Sequence, residues 1–427
     1  MPLTIQIHNS QFYAILQSMK FFSHLNTTTR LIQEYNGEEP LHYFLKRFFG
    51  HNKKFGSKDR KRISHMSYVF FRVGRAFQFE GPLKEAEDIH RVILAGLFLS
   101  GNESDDLLAA MRPSWNEKMA VGTGEKLEMI NEETPNTHIN IANIFPSSDR
   151  LSDGIEKLAF SLSHLFQPDL FIRIRPGYQH SILEKLKRNN IQYEILPGSA
   201  VRLPNGLGID EIVDLDREVV VQDLSSQQVG DFLFDYRAER GEHSSDRTNV
   251  WDCCAASGGK SIMAKDILGN IDLTVSDVRE SILINLKKRF EKAGLTNYNI
   301  IVADLSRSIK GDLYTGQAVT PFDLIIADLP CTGSGTWSRT PEQLYFFQPE
   351  AIQKYSQLQK SILGNVVPHL KETGKLLYIT CSVFRQENEE IIDFLLDRFP
   401  LKLERMELLK GYDKKADTMF AALLSKL

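Results

Sequence analysis

From about residue 247 onward, short apolar runs alternate with amphipathic stretches, and this alternation constrains the fold more than any other feature of the chain. An apolar run over 249–254 ends in the small-residue stretch Ala255-Ala256-Ser257-Gly258-Gly259 and leads into a helix expected over 260–268. Further strands are expected over 273–276, 299–303, 322–327 and 375–380, with helices over 279–293 and 350–370. Strands separated by helices cannot pair as hairpins, so they build a mostly parallel, doubly wound sheet. Ligands of such sheets sit beyond the carboxyl ends of the strands. There the chain places Asp277, Asp304, Asp328, Cys331 and Cys381.

Two regions precede this α/β domain. Residues 1–135 read as all-helical, with apolar residues at three-to-four spacing over 42–49, 63–77 and 85–99, the last run broken by Gly101. Over 150–235 a small α/β subdomain is expected, with strands over 170–175, 193–196 and 219–222 and a short helix over 180–189. Asn, Thr, Pro and Ser accumulate over 131–150, which reads as a linker. The α/β domain proper is expected over 236–427.

Net charge enters here. With 51 Lys+Arg against 55 Asp+Glu the chain carries −4, so any basic surface must be local. One segment stands out: residues 46–75 hold ten basic side chains against the single acid Asp59, interleaved with Phe48, Phe49, Phe55 and Tyr68. It reads either as a solvated helix face or as a phosphate-contacting patch. Four cysteines, two of them adjacent, exclude a disulfide scaffold and favour a reducing, cytoplasmic setting. No apolar run is long enough to span a bilayer, and residues 1–20 lack a signal-peptide pattern.

The strand-end residues carry the chemistry. Gly259-Lys260-Ser261 resembles the end of a P-loop, but Cys254 stands where that loop needs its first glycine, so the phosphate-loop reading fails on spacing. A glycine pair between a strand and a helix still lets backbone approach a ligand closely. Asp277 lies at the end of the next strand, where a carboxylate accepts bonds from ribose hydroxyls, and Asp304 lies at the end of the third. A lone strand-end Asp is commonly a helix cap; two in register after a glycine turn favour a bound nucleoside. The spacing does not separate NAD from S-adenosylmethionine, although the lack of a full GxGxxG leans against a dinucleotide.

Cys331 in Asp328-Leu329-Pro330-Cys331 and Cys381 in Thr380-Cys381-Ser382 close two neighbouring strands. Either thiol alone reads as a small buried hydrophobe, and without a CxxC pairing no metal site is expected. Paired beside a nucleoside cofactor, two thiols suit addition to an electrophilic ring. Carbon 5 of cytosine does not take a methyl cation directly. A thiolate added at carbon 6 makes carbon 5 enamine-like, and a carboxylic acid facing the ring nitrogen assists by supplying a proton.

CAASGGK, the strand-end Asp277 and Asp304, DLPCTGSG and TCSVFRQENEE together resemble the Nol/Nop/Sun family of RNA cytosine-5 methyltransferases over 151–427. Val221-Gln222-Asp223 with Ser225-Ser226-Gln227, and Asp417-Thr418-Met419-Phe420, belong to the likeness. Residues 52–75 resemble the NusB-like helical RNA-binding domain of the bacterial rRNA-modifying branch. The resemblance implies a Rossmann-like, S-adenosylmethionine-dependent enzyme that methylates carbon 5 of a cytosine in RNA, with small-subunit rRNA the expected substrate. It implies Cys381 as nucleophile, Cys331 in product release, and Asp328 on the target cytosine and the cofactor's methionine end. Cys254, Ala255, Ala256, Ser257, Gly258, Gly259 and Lys260 would line the cofactor pocket, with Asp277 on the ribose and Asp304 on the adenine side. Three positions depart from the family pattern: Ser257 replaces proline, Leu329 a small residue, and Arg173-Ile174-Arg175 an Arg-x-Asn. A monomer without membrane attachment is expected. Two alternatives share the residues: a DNA cytosine-5 methyltransferase, whose nucleophile comes from a Pro-Cys motif, and a catalytically silent RNA-binding factor on the same fold.

Overall fold

The computed structural model describes residues 9–78, 85–133, 138–241, 247–307 and 321–427. Residues 1–8 of the N-terminal reading and 134–137 of the expected linker lie outside the described residues. Two compact units make up the chain: Met1–Pro146 with Glu156–Gln167 and Trp337–Phe347, and Ser147–Ile155 with Pro168–Thr336 and Gln348–Leu427.

The first unit is built from α1 (Asn9–Glu34), α2 (Leu41–His51), α3 (Ser57–Val73), α4 (Ala86–Ser100), α5 (Asp106–Met111), α6 (Pro113–Glu117), α7 (Thr123–Glu133) and α8 (Lys157–Ser163), with a ribbon of β1 (Phe77–Gln78) and β2 (His138–Ile139). Leu41, Leu45, Phe48 and Phe49 form one buried stripe on α2, the spacing of an amphipathic helix. The expected linker is not loose. Its residues Ile141, Ile144 and Phe145 are buried, and Phe145 packs on Phe160 and Trp337, because three apolar side chains interrupt the polar composition.

The basic segment is also partly internal. Arg72 is buried and donates to the carbonyls of His164 and Phe166. Arg75 donates to the Tyr345 carbonyl (3.0 Å), and Arg60 to that of Phe55 (2.8 Å). Arg62 makes a bidentate pair with Asp105, the carboxylate that caps α5 through the Leu107 and Leu108 amides. Phe48, Phe49 and Phe55 are buried core, so they offer no stacking surface. What stays exposed is Arg47, which pairs with Glu39, and five lysines: Lys46, Lys53, Lys54, Lys58 and Lys61.

The second unit contains two sheets. The smaller one comprises β3 (Leu170–Ile174), β4 (Glu194–Ile195), β5 (Ala200–Leu203) and β6 (Val219–Val221) in the order β4-β5-β3-β6, all antiparallel, covered by α9 (Gln179–Arg188) through Ile182 and Leu186. The expected boundary at 235–236 falls inside α10 (Leu224–Arg240), which is continuous because it buries Val229, Phe232 and Leu233 against the larger sheet.

The larger sheet follows from β7 (Thr248–Asp252), α11 (Gly259–Leu268), β8 (Ile271–Asp277), α12 (Glu280–Ala293), β9 (Tyr298–Val302), β10 (Phe322–Asp328), α13 (Pro341–Phe346), α14 (Glu350–Val366), β11 (Leu370–Thr380), α15 (Glu389–Arg398), β12 (Leu401–Leu409) and β13 (Met419–Lys426). Its order is β12-β13-β11-β10-β7-β8-β9, parallel from β11 through β9, with β13 running antiparallel between β11 and β12. Helices α10, α11 and α12 bury Phe232, Ile262, Leu286 and Phe290 on one face, and α14 and α15 bury Ile362, Val366 and Leu395 on the other. Arg173 and Arg175 of the small-sheet region both pair with Asp266 on α11, at 2.7 and 2.8 Å, so the Arg-Ile-Arg departure joins the two sheets. The chain winds outward from β7 to β9 and then crosses back to start β10 on the other side of β7. That reversal opens a crevice at the carboxyl ends of β7 and β10. Among the described residues no helix is long and apolar enough to cross a membrane.

Candidate active site

The turn after β7 is shaped by two left-handed residues, Ala256 (φ 47°) and Gly258 (φ 84°). A Cβ on Gly258 would stand 2.5 Å from Cε1 of Phe290, so both conformation and space demand glycine there. Gly258 therefore packs against α12. Gly259, by contrast, lines the cleft with Cys254, Ala255, Ala256, Ser257 and Lys260. Ser257, in the place of proline, accepts from Arg289 through both its carbonyl (3.0 Å) and its hydroxyl (2.8 Å), and Arg289 in turn pairs with Asp216. The hydrogen bonds hold the turn where a proline ring would stiffen it.

Asp277, the last residue of β8, is buried. Its carboxylate accepts from the Ala256 amide (3.1 Å), the Arg279 amide (2.9 Å) and the Arg279 guanidinium. Burial pushes the carboxyl up, but the Arg279 side chain and the two amides outweigh it and hold it below the usual range. Asp304 is exposed at the margin of the same cleft, and its own loop occupies it: Ser306 donates from its hydroxyl (2.6 Å) and amide (3.1 Å). The Ser306 hydroxyl bond leads in lowering its pKa.

On the other side of the reversal, Asp328 ends β10 and pairs with the buried Lys260 amine at 3.1 Å; the same amine donates to the Ser226 hydroxyl at 2.7 Å. Leu329 is buried in the core and donates its amide to the Ile379 carbonyl, so a larger side chain than usual is absorbed by packing. Cys331 and Cys381 lie with their Sγ atoms 3.3 Å apart. The thiol contact with Cys381 and then burial push the Cys331 pKa up. The Gln222-Asp223 and Asp417 segments meet here as well, the Asp417 amide donating to the Asp223 carboxylate (3.1 Å).

These residues line one cleft of about 790 Å³: Cys254 to Ser257, Gly259, Lys260, Asp277, Asp304, Asp328, Cys331 and Cys381. Three neighbours were not among the expected site residues. Asp252, at the end of β7, is wholly buried; one oxygen accepts from Ser261 (2.6 Å) and the other has no hydrogen-bond partner. Its signal was its register, a third strand-end acid beside Asp277 and Asp328. Glu387 and Asn388 lie behind the cysteines inside the polar run Arg385 to Glu390, which reads as surface until the fold buries it.

The donor set suits S-adenosylmethionine. Strand-end carboxylates match ribose hydroxyls and an ammonium, the orphan Asp252 oxygen is a spare acceptor, and Val278, Leu305 and Leu358 supply apolar lining for a ring and a sulfonium chain. A parallel sheet of this order with such a cleft at its reversal has the fold of an S-adenosylmethionine-dependent methyltransferase domain. Residues 242–422 match the family described as 16S rRNA methyltransferase RsmB/F.

Among curated relatives, "Probable ribosomal RNA small subunit methyltransferase B" of Bacillus subtilis (strain 168) is 29% identical over 284 residues, covering 60% of this chain and 60% of its own length. Ribosomal RNA small subunit methyltransferase B of Enterobacter sp. (strain 638) is 27% identical over 246 residues, covering 54% and 52%. The match thus spans between half and three fifths of those relatives. Two solved structures share the fold: PH0851, at TM-score 0.67 and 19% identity, covering 95% of this chain and 98% of its own, and NSun6 from Pyrococcus horikoshii with SFG, at 0.52 and 13%, covering 63% and 95%.

Proposed function

We propose that the chain methylates carbon 5 of a cytosine in RNA, small-subunit rRNA being the substrate class, through a covalent cysteine–cytosine intermediate. One observation carries this reading: two thiols in contact at 3.3 Å, beside a strand-end carboxylate, in the cleft that suits the cofactor. When bound, S-adenosylmethionine supplies an electrophilic methyl group. Asp277 would hold its ribose, Asp304 would border the adenine, and Cys254, Ala255, Ala256, Ser257, Gly259 and Lys260 would line its pocket. Cys381 attacks carbon 6, as the likeness of Thr380-Cys381-Ser382 to the family's nucleophile motif implies, with the Cys331 thiol 3.3 Å away. Asp328, oriented by Lys260, takes the proton that the Cys381 thiol gives up and passes it to the ring nitrogen as the C–S bond forms. Carbon 5 then accepts the methyl group, and once a base removes the proton at carbon 5 the C–S bond breaks. Cys331, 3.3 Å from the departing sulfur, assists that release.

The exposed lysines of α2, α3 and the turn between them supply the phosphate-contacting surface, in the manner of a NusB-like domain, and the enzyme acts as a cytoplasmic monomer. A denaturing gel tests the roles. Cys331→Ala incubated with RNA and cofactor should accumulate a denaturant-resistant protein–RNA complex, whereas Cys381→Ala should neither methylate nor trap. A trapped complex with Cys381→Ala instead would exchange the roles and favour the Pro-Cys mechanism of the DNA enzymes. Bisulfite sequencing of rRNA from a deletion strain identifies the cytosine.

A further inference from the structure

Cys331 and Cys381 stand past the ends of β10 and β11, where the sheet ladder no longer holds the chains in register. The last paired residues there are Asp328 and Ile379. Something else must keep the two sulfurs in contact. Thr332 directly follows Cys331, Ser382 directly follows Cys381, and both donate to one side chain. Glu387, fully buried, accepts from the Thr332 amide (2.8 Å), the Thr332 hydroxyl (2.6 Å) and the Ser382 hydroxyl (2.5 Å). We propose that Glu387 is the positioning residue of the cysteine pair, a buried carboxylate that clamps the Cys331 loop to the Cys381 loop.

The surroundings hold the clamp itself in place. The Glu387 carbonyl accepts from the buried Tyr378 hydroxyl (2.5 Å), and Asn388 donates to the Ser382 carbonyl (3.0 Å) and to Ser152 (2.8 Å) while accepting from Thr380 (2.6 Å). Ser334 lies 3.2 Å from the Ser382 hydroxyl and accepts from the Val383 amide (2.9 Å), and the Gly335 amide donates to the Cys381 carbonyl (2.9 Å). Gly335 has no room for a side chain, since a Cβ would fall 1.9 Å from the Thr418 carbonyl oxygen. Among the described residues, however, only Glu387 contacts the residue after each thiol with a carboxylate. Charge-assisted bonds are the stronger kind and direct both loops at once. Burial raises its pKa, opposed by the Ser382 and Thr332 bonds.

The catalytic meaning of the clamp rests on the function proposed above, but its geometry is testable without RNA. In 2,2′-dithiodipyridine, one thiol displaces a pyridinethione to give a mixed disulfide. The second thiol then attacks that disulfide, releasing another pyridinethione and forming the Cys331–Cys381 bond. The second step is intramolecular and depends on how well the sulfurs are held. Mass spectrometry of the cross-linked peptide follows it apart from Cys253 and Cys254.

Glu387→Ala should slow ring closure by about tenfold or more with the first step unchanged, since closure depends on pre-set geometry. Glu387→Gln, which keeps the shape and one carbonyl acceptor, should restore most of the rate. An unchanged closure rate in Glu387→Ala overturns the proposal. Should that variant not fold, Thr332→Val decides: it removes one donor and leaves the carboxylate, so slowed closure supports the clamp and unchanged closure refutes it. In the Cys331→Ala background, Glu387→Ala should also trap less RNA at equal S-adenosylmethionine affinity. Normal disulfide closure in the wild type, together with no trapped RNA in Cys331→Ala, would refute the proposed function and leave the clamp standing.

Discussion

Asp252→Asn tests the electrostatics of the cleft through protein stability. Burial pushes the Asp252 carboxyl up to about 7 from its ordinary 3.8; the Ser261 hydrogen bond opposes the shift, and the nearby charge of Asp328 adds to it. Between those two pH values the folded protein keeps a proton that the unfolded chain has given up, so folding stability falls as pH rises and levels off above 7. A gap of about three pH units is worth about 4 kcal/mol at 1.36 kcal/mol per unit, and about two of those units lie between pH 5 and pH 8. Asparagine has no proton to lose and can still accept from Ser261. Relative to wild type, Asp252→Asn should therefore gain about 3 kcal/mol of stability on going from pH 5 to pH 8. Urea-induced unfolding at both pH values, read from the exchange-resistant amides of β7 and β10, measures this. Stability profiles that run parallel for the two proteins would refute the reasoning, because they would mean that Asp252 ionises in the folded state as it does in water.

Gly258→Ala should destabilise the methyltransferase domain by about 2–4 kcal/mol, the left-handed backbone and the contact with Phe290 each contributing; thermal unfolding of the purified variant checks it. Asp277→Ala should weaken S-adenosylmethionine binding by about 1–3 kcal/mol in calorimetry, and unchanged affinity would remove Asp277 from the site. Reversing Lys53, Lys54, Lys58 and Lys61 to Glu should lower RNA affinity and flatten its salt dependence by about three units of slope, with folding intact. Arg62→Glu, from the same basic run, should instead cost about 1–3 kcal/mol of stability, since it breaks the bidentate pair with the Asp105 cap.

The contrast between the lysines and Arg62 shows where reading the chain in one dimension stops. A run of ten basic residues looks uniform, yet Arg60, Arg62, Arg72 and Arg75 turn inward to carbonyls and to a cap. Apart from Phe55, five residues from Arg60, the partners (Asp105, His164 and Tyr345 among them) lie far along the chain, and local sequence carries no mark of them. Gly258 and Gly259 divide for the same reason: adjacent in sequence, one packs against Phe290 of α12 and the other opens onto the cleft.

Whatever depends on local pattern is legible in the linear chain. Alternating apolar runs and helices dictate a parallel sheet, parallel strands all present their carboxyl ends at one edge, and the acids and thiols that close those strands must therefore share a neighbourhood. That logic expects Asp277, Asp328, Cys331 and Cys381 at one edge of the sheet, and they line one cleft. Only the tertiary structure decided the distances and the burial: 3.3 Å between two sulfurs fifty residues apart in the chain, Lys260 turned onto Asp328, Asp252 sealed from water. Glu387 sits in a run of polar residues that any hydropathy reading assigns to the surface. It becomes a buried clamp because β10 and β11 are neighbours in the sheet, and strand order is set by the packing of α10, α11, α12, α14 and α15 over both faces, a long-range balance of burial that no local stretch of sequence encodes.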